Sequence, residues 1–131
     1  MAKVLLVEDN KSLRELYSKH LRDINFEVET AGNGKEALAK VNEFKPDAIV
    51  LDIILPEING IEVLKILKAD PEHRKIPVLM LTGFSTHLSE SNKLRECLEN
   101  GAQGYILKED YASAKKIASK INLLLDLLNR T

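Results

Sequence analysis

Short apolar runs alternate with helical stripes along the whole chain. Lys3–Val7 is brief, apolar and partly β-branched, the mark of a buried strand. Leu13, Leu16, Tyr17, His20, Leu21 and Ile24 then recur at helical spacing, behind the capping-type segment Asp9-Asn10-Lys11-Ser12. Phe26–Ala31 alternates as a strand does, and Gly32-Asn33-Gly34 turns the chain. Ala37, Leu38, Val41 and Phe44 mark a second helix, ended by Lys45-Pro46. Ala48–Leu51, running on to Asp52, is another buried strand. Pro56 and Asn59-Gly60 bracket a loop, and Ile61, Leu64, Ile66 and Leu67 begin a third helix that stops at Asp70-Pro71. Pro77 opens the strand Val78–Leu81. The polar stretch Ser85–Asn92 reads as a lead-in to a helix carrying Leu94, Cys97 and Leu98, capped by Asn100-Gly101. Tyr105–Leu107 is the last strand, and Ile117, Ile121, Leu124, Leu125 and Leu128 give the last helix its apolar stripe. Strand and helix alternate five times. This predicts an α/β domain with a parallel sheet, helices on both faces and right-handed connections.

The totals narrow the function classes. A chain of 131 residues fits one domain. Lys+Arg is 19 against Asp+Glu 20, a net charge of -1. That balance argues against a nucleic-acid partner and against a polybasic membrane anchor. Cys97 is the sole cysteine, so no intrachain disulfide forms and a cytoplasmic location is expected. No signal peptide or membrane-length apolar stretch is read.

Four of the apolar runs end in polar or charged residues, and this is the most informative feature of the chain. Glu8-Asp9 come directly after Val4–Val7, Asp52 after Ala48–Leu51, Thr82 after Val78–Leu81, and Lys108 after Tyr105–Leu107. If those runs are neighbouring parallel strands, the five side chains meet at the carboxyl edge of one sheet, where open α/β folds bind ligands. Three carboxylates, one hydroxyl and one ammonium in one cleft suit a divalent cation and a phosphoryl group. Asp52 reads as a carboxylate nucleophile, which needs positive charge beside it when it attacks a phosphoryl group. Each residue has a plainer reading: Asp52 as a turn residue, Asp9 as a helix cap, Lys108 as a solvated lysine, Thr82 as the end of a strand. Their joint placement outweighs those readings. Strand 2 ends in Ala31-Gly32 and offers no catalytic group.

Four segments carry a resemblance: Val4–Asp9 (VLLVED), Ile49–Gly60 (IVLDIILPEING), Val78–Gly83 (VLMLTG) and Asn100–Lys108 (NGAQGYILK). With the spacing of Asp52, Pro56 and Gly60, and Tyr105 three residues before Lys108, the chain closely resembles a response-regulator receiver domain of two-component signalling. The architecture is like that of the stand-alone chemotaxis regulators. The resemblance implies a flavodoxin-like (βα)5 fold with strand order 2-1-3-4-5, and residues 1–131 as one receiver domain without an output domain. It implies Asp52 as phosphoacceptor, assisted by Lys108 and Thr82. It further implies Mg2+ (or Mn2+) held by Asp9 and Asp52 side chains, the Ile54 backbone carbonyl, and Glu8 through water. No organic cofactor is implied. Thr82 and Tyr105 form the implied switch, read out on the fourth helix, fifth strand and fifth helix. The implied donor is a histidine kinase or histidine phosphotransfer protein. The downstream protein is unassigned, and a phosphorylation-dependent homodimer stays open. Such a chain is not an enzyme toward other substrates; it catalyses only its own phosphorylation and dephosphorylation.

Three features depart from the resemblance. Lys108 is followed by Glu109 where a cis proline is usual, so a trans bond, or a strained cis one, is expected. Thr82 to Gly101 spans 19 positions, about four more than the resemblance implies, or about one helical turn. Ile54 and Phe84 are apolar where a polar side chain could orient an attacking water, so slow hydrolysis of the aspartyl phosphate is expected.

Other classes fit less well. A metal-dependent hydrolase on this fold needs a second acid/base group just after its nucleophile, but Ile53 and Ile54 come after Asp52. A flavin carrier needs a Ser/Thr/Gly-rich phosphate loop where Glu8-Asp9-Asn10 stands. A receiver-like interaction module that works without phosphorylation is the remaining alternative. His20, His73 and His87 have no base-like partner nearby in sequence, Cys97 reads as core, and Lys115, Lys116 and Lys120 read as a solvated face.

Overall fold

The computed structural model describes residues 1–83, 88–108 and 112–129. Its elements run β1 (Lys3–Val7), α1 (Lys11–Asp23), β2 (Glu27–Ala31), α2 (Gly34–Phe44), β3 (Ala48–Asp52), α3 (Gly60–Ala69), β4 (Val78–Gly83), α4 (Leu88–Glu99), β5 (Gly104–Lys108) and α5 (Ala112–Asn129). The strands form one parallel sheet in the order β2-β1-β3-β4-β5. The flavodoxin-like fold expected from the sequence is therefore the fold of the chain.

Side-chain alternation splits the core between the two sheet faces. Leu5, Val7, Ile49, Leu51 and Met80 pack under α2 and α3, together with Cys97 of α4. Val4, Leu6, Val50, Leu81 and Ile106 pack under α1 and α5, against Tyr17, Leu21, Ile117 and Ile121. The central strands are buried on both faces, which is why they read as continuous apolar runs.

Helix ends obey local side-chain chemistry. Asn10, Asn33 and Asn59 cap α1, α2 and α3, each side-chain oxygen accepting a backbone N–H three residues on. Asn10 therefore does the capping that was open to Asp9, and the Asp9 carboxylate faces the cleft instead. At the end of α4, Gly101 N–H donates to Leu98 carbonyl and Ala102 N–H to Cys97 carbonyl, with Gly101 at φ +103°. That is the left-handed helix stop in which glycine avoids a Cβ clash.

The boundaries differ from the sequence reading at a few points. α4 begins at Leu88, inside the polar stretch read as a lead-in. A polar first turn bonds its own backbone without an apolar stripe, so hydrophobic periodicity misses it. β5 gains Gly104 and Lys108, and β2 starts one residue late, with Phe26 buried just ahead of it. Phe84, His87, the Lys108-Glu109 bond and Arg130 lie outside the described residues.

Candidate functional site: an acidic cleft at the carboxyl edge

β1 and β3 are adjacent and in register, so Val7 pairs with Leu51 and their successors emerge side by side. Glu8 and Asp52 continue the parity of Leu6 and Val50, and Lys108 that of Ile106. The three side chains consequently meet on one side of the sheet edge. Lys108 Nζ lies 2.6 Å from Asp52 Oδ2 and 2.8 Å from Glu8 Oε1. Asp52 is 2% exposed and Glu8 is fully buried. Asp9 stands at the exposed rim, and one carboxylate oxygen from each of Glu8, Asp9 and Asp52 lies within 4.8 Å of the others. These residues, with Asn10, Leu13, Ile54 and Gly83, line a cleft of about 370 Å³.

The backbone fixes this arrangement. Glu8 N–H donates to Ala31 carbonyl at 3.0 Å, and Asn10 N–H to Glu8 Oε2 at 3.2 Å. Ile54 N–H donates to Asp52 Oδ1 at 3.1 Å, which leaves Oδ2 to the lysine. Gly60, at the start of α3, donates to Ile53 carbonyl at 2.9 Å. A Cβ on Gly60 would lie 2.1 Å from the Asp52 carbonyl oxygen, so only glycine lets α3 approach the β3 end this closely.

The electrostatics of the site result from the crowding. Burial pulls the Lys108 pKa down, but the Asp52 and Glu8 carboxylates outweigh it and hold the ammonium above its ordinary range. Partial burial, and then the Glu8 carboxylate, raise the Asp9 pKa above the ordinary 3.8. The Lys108 contact with Glu8 Oε1 is an ion pair without hydrogen-bond alignment, and among the described residues no group is aligned to donate to that oxygen. A buried carboxylate oxygen beside two further carboxylates is the donor set that a hard divalent cation takes. The Glu8, Asp9 and Asp52 group can hold such an ion.

The remaining two expected residues fall elsewhere. Thr82 is buried on the same face as Met80, opposite in parity to Leu81, and its hydroxyl makes a long 3.5 Å contact to Gly83 carbonyl. Tyr105 shares that parity, is 41% exposed, and has Lys120 Nζ 5.3 Å over its ring. Lys120 also donates to Tyr105 carbonyl at 3.1 Å, so it is more than the solvated lysine read from the sequence. A larger groove of about 460 Å³ runs here between β5 and α5, past Tyr105, Leu107, Lys116 and Lys120. Among the described residues its lining includes no acidic group, and it shares no lining residue with the cleft. Contrary to the sequence reading, His73 has an acidic partner nearby in sequence: it is tucked into the α3–β4 turn with Nδ1 3.0 Å from Asp70 Oδ2. Cys97 is fully buried, and burial with the Glu96 carboxylate pushes its thiol pKa up to about 11, which makes it inert core.

The fold and site together define an open α/β domain with a candidate cation site at the carboxyl edge of its parallel sheet. The response regulator receiver domain family matches residues 4–121, and the chain belongs to that family, part of two-component signalling. The chain is 38% identical over 105 residues to the polar-differentiation response regulator DivK of Brucella anthropi, covering 80% of this chain and 82% of that one. It is 37% identical over 106 residues to the DNA-binding response regulator MtrA of Mycobacterium tuberculosis, covering 81% of this chain but only 43% of that one. The chain thus spans less than half the length of such DNA-binding relatives. Among solved structures, the chemotaxis response regulator CheY4 of Vibrio cholerae superposes with a TM-score of 0.81 at 34% identity, covering 92% of this chain and 98% of that one. No helix among the described residues is long and apolar enough to cross a membrane.

Proposed function

We propose that the chain is a phosphorylation-dependent switch in which Asp52 takes a phosphoryl group from the phosphohistidine of a kinase or phosphotransfer protein. The bond from an Asp52 carboxylate oxygen to phosphorus forms as the phosphorus–nitrogen bond of the donor breaks. The observation that carries this is the Asp52 carboxylate, almost fully buried, 2.6 Å from Lys108 Nζ and clustered with two further carboxylates. An attacking carboxylate and an incoming phosphoryl group repel, so the site must supply cations. Lys108, held protonated by its neighbours, is one. Asp9 and Asp52, the Ile54 carbonyl, and Glu8 through water suit Mg2+ or Mn2+ as the other. Bound there, the metal offsets negative charge on the phosphoryl oxygens.

Thr82 and Tyr105 are the residues that pass the change on. They share one side of the sheet, away from the parity of Asp52, so a hydroxyl drawn toward a phosphoryl group leaves space on the side of Tyr105. The readout face is α4, β5 and α5, where Tyr105 and the groove along α5 are accessible. The chain acts on itself alone, in the cytoplasm, and passes its state to a downstream protein. The converging carboxylates speak against a module that works without phosphorylation.

The test is incubation with Mg2+ and a small-molecule phosphodonor. The wild type is expected to gain an acid-labile phosphoryl group, and Asp52→Asn to gain none. A wild type that stays unlabelled, with a donor shown to label another receiver in parallel, overturns the reading.

A further inference from the structure

Strand β2 contributes no side chain to the cleft, yet its end is built around one residue of α1. Arg14 Nη1 donates to Glu8 carbonyl at 2.7 Å and reaches Asp9 carbonyl at 3.4 Å. These are the peptides of the two residues whose carboxylates converge with Asp52. Glu8 is gripped from its other side as well, through its N–H to Ala31 carbonyl. The next residue, Gly32, leaves the room. A Cβ there would lie 3.1 Å from Arg14 Nη1 and 3.6 Å from Arg14 Cζ. Gly32 N–H is occupied by Glu36 Oε2 at 3.1 Å, so an anion flanks the same spot.

We propose that Arg14 is a positioning residue of the cation site: it holds the Glu8-Asp9 backbone so that both carboxylates aim at the Asp52 oxygens, with Gly32 as the clearance it needs. Arg14 acts through the main chain and touches neither metal nor phosphoryl group. This rests on the cation-site reading above. Two effects of the guanidinium oppose each other, and the sign of one measurement separates them. As a bare positive charge, Arg14 repels a divalent cation, so its removal would tighten binding. As a clamp on the ligand-bearing backbone, its removal loosens the site and weakens binding. Outer partners of metal ligands typically contribute roughly 10- to 100-fold in affinity. A backbone clamp, one step further out, belongs at the low end.

The experiment is calorimetric titration of the full chain with Mg2+ alone, without phosphodonor, with circular dichroism as a check of folding. Arg14→Met is expected to weaken Mg2+ binding about tenfold. Arg14→Lys, which keeps a cation able to donate to both carbonyls, is expected to recover most of that loss. Gly32→Val, which crowds the guanidinium and leaves Arg14 in the chain, is expected to weaken binding in the same direction. The double variant Arg14→Met/Gly32→Val should be no weaker than Arg14→Met, because both act through one contact. Unchanged or tighter Mg2+ binding in Arg14→Met, beside a wild type that binds, overturns the inference and leaves the cation site standing. If Arg14→Met does not fold, wild-type affinity in both Arg14→Lys and Gly32→Val overturns it instead. A wild type that binds no Mg2+ overturns the cation-site reading and this inference with it.

Discussion

Partial burial and the Glu8 carboxylate raise the Asp9 pKa, so the metal-free protein carries a carboxylate it would be more stable without. The sign comes from linkage. A carboxyl whose folded pKa lies above its unfolded value binds its proton more tightly in the folded state. Its contribution is favourable below pH 3.8 and is lost as pH rises through the raised folded value. Asp9→Asn is therefore expected to raise the melting temperature of the metal-free protein at pH 7 slightly while abolishing Mg2+ binding. Because Asp9 is exposed, the rise should stay below the roughly 3–5 °C that 1 kcal/mol gives a domain of this size. Ile54 is the second residue with a separable effect. It is 47% exposed on the rim of the cleft, with apolar Leu13 also on that rim. Neither side chain can orient a water. Ile54→Asn adds a donor and an acceptor there and is expected to shorten the phosphoryl lifetime at least severalfold, read by loss of label from the purified phosphoprotein. A lifetime that is unchanged or longer counts against slow hydrolysis as a property of this rim.

Elements set the site's precision through close approaches. Alanine in place of glycine in a helix ordinarily gains about 1 kcal/mol. At Gly60 that gain is outweighed, because the new Cβ would lie 2.1 Å from the Asp52 carbonyl oxygen and backbone must move. Gly60→Ala is expected to lose about 1–3 kcal/mol, the usual range for forcing a group into a packed site. It should also slow the proposed phosphorylation, since the displaced backbone is that of Asp52. Urea unfolding and the labelling rate check the two effects separately. At the opposite end of the sheet, Lys68 of α3 donates to the carbonyls of Arg74 and Ile76 at 3.0 and 2.9 Å. Burial lowers its pKa. Three residues earlier, Lys65 pairs with Glu96 of α4 at 3.2 Å. The carboxyl half of α4 is thus linked to α3 by this exposed ion pair.

For the whole molecule, Lys108 joins the stability of the fold to the state of the site. It pairs with one carboxylate just past β1 and another on the last residue of β3. Removing it leaves two buried anions unpaired, which typically costs about 3 kcal/mol or more. Lys108→Ala is expected to show that loss in metal-free buffer and to recover part of it in excess Mg2+, because a cation that binds only the folded state stabilises it. Its Mg2+-induced rise in melting temperature should exceed that of the wild type, where the lysine competes for the same oxygens. The wild type has its own pH signature. The Lys108 pKa is raised in the folded state, so its contribution is fully present below the ordinary 10.5 and is lost as pH rises through the folded value.

How much of this was legible in the sequence depended on the range of the interaction concerned. The buried strands announce themselves because both their faces are covered, so Val4–Val7 and Ala48–Leu51 need no partner to be recognised. The residues at the strand ends were legible from the sheet type. A parallel sheet collects the ends of its strands on one edge, so Glu8, Asp9, Asp52 and Lys108 had to lie along that edge once β1, β3 and β5 were in place. The first turn of α4 was not legible, because a polar helical turn carries no periodic apolar signal. Nor was Arg14, whose contacts with the Glu8 and Asp9 carbonyls are backbone contacts that leave no trace in residue type. The sequence by itself determined the alternation of strands and helices and the inventory of charges at the sheet edge, since both arise from local hydrophobic pattern. Only the tertiary structure decided that Glu8, Asp52 and Lys108 share one side of that edge while Thr82 and Tyr105 share the other. Distances between strands are set by register and packing, which no single segment of the chain contains.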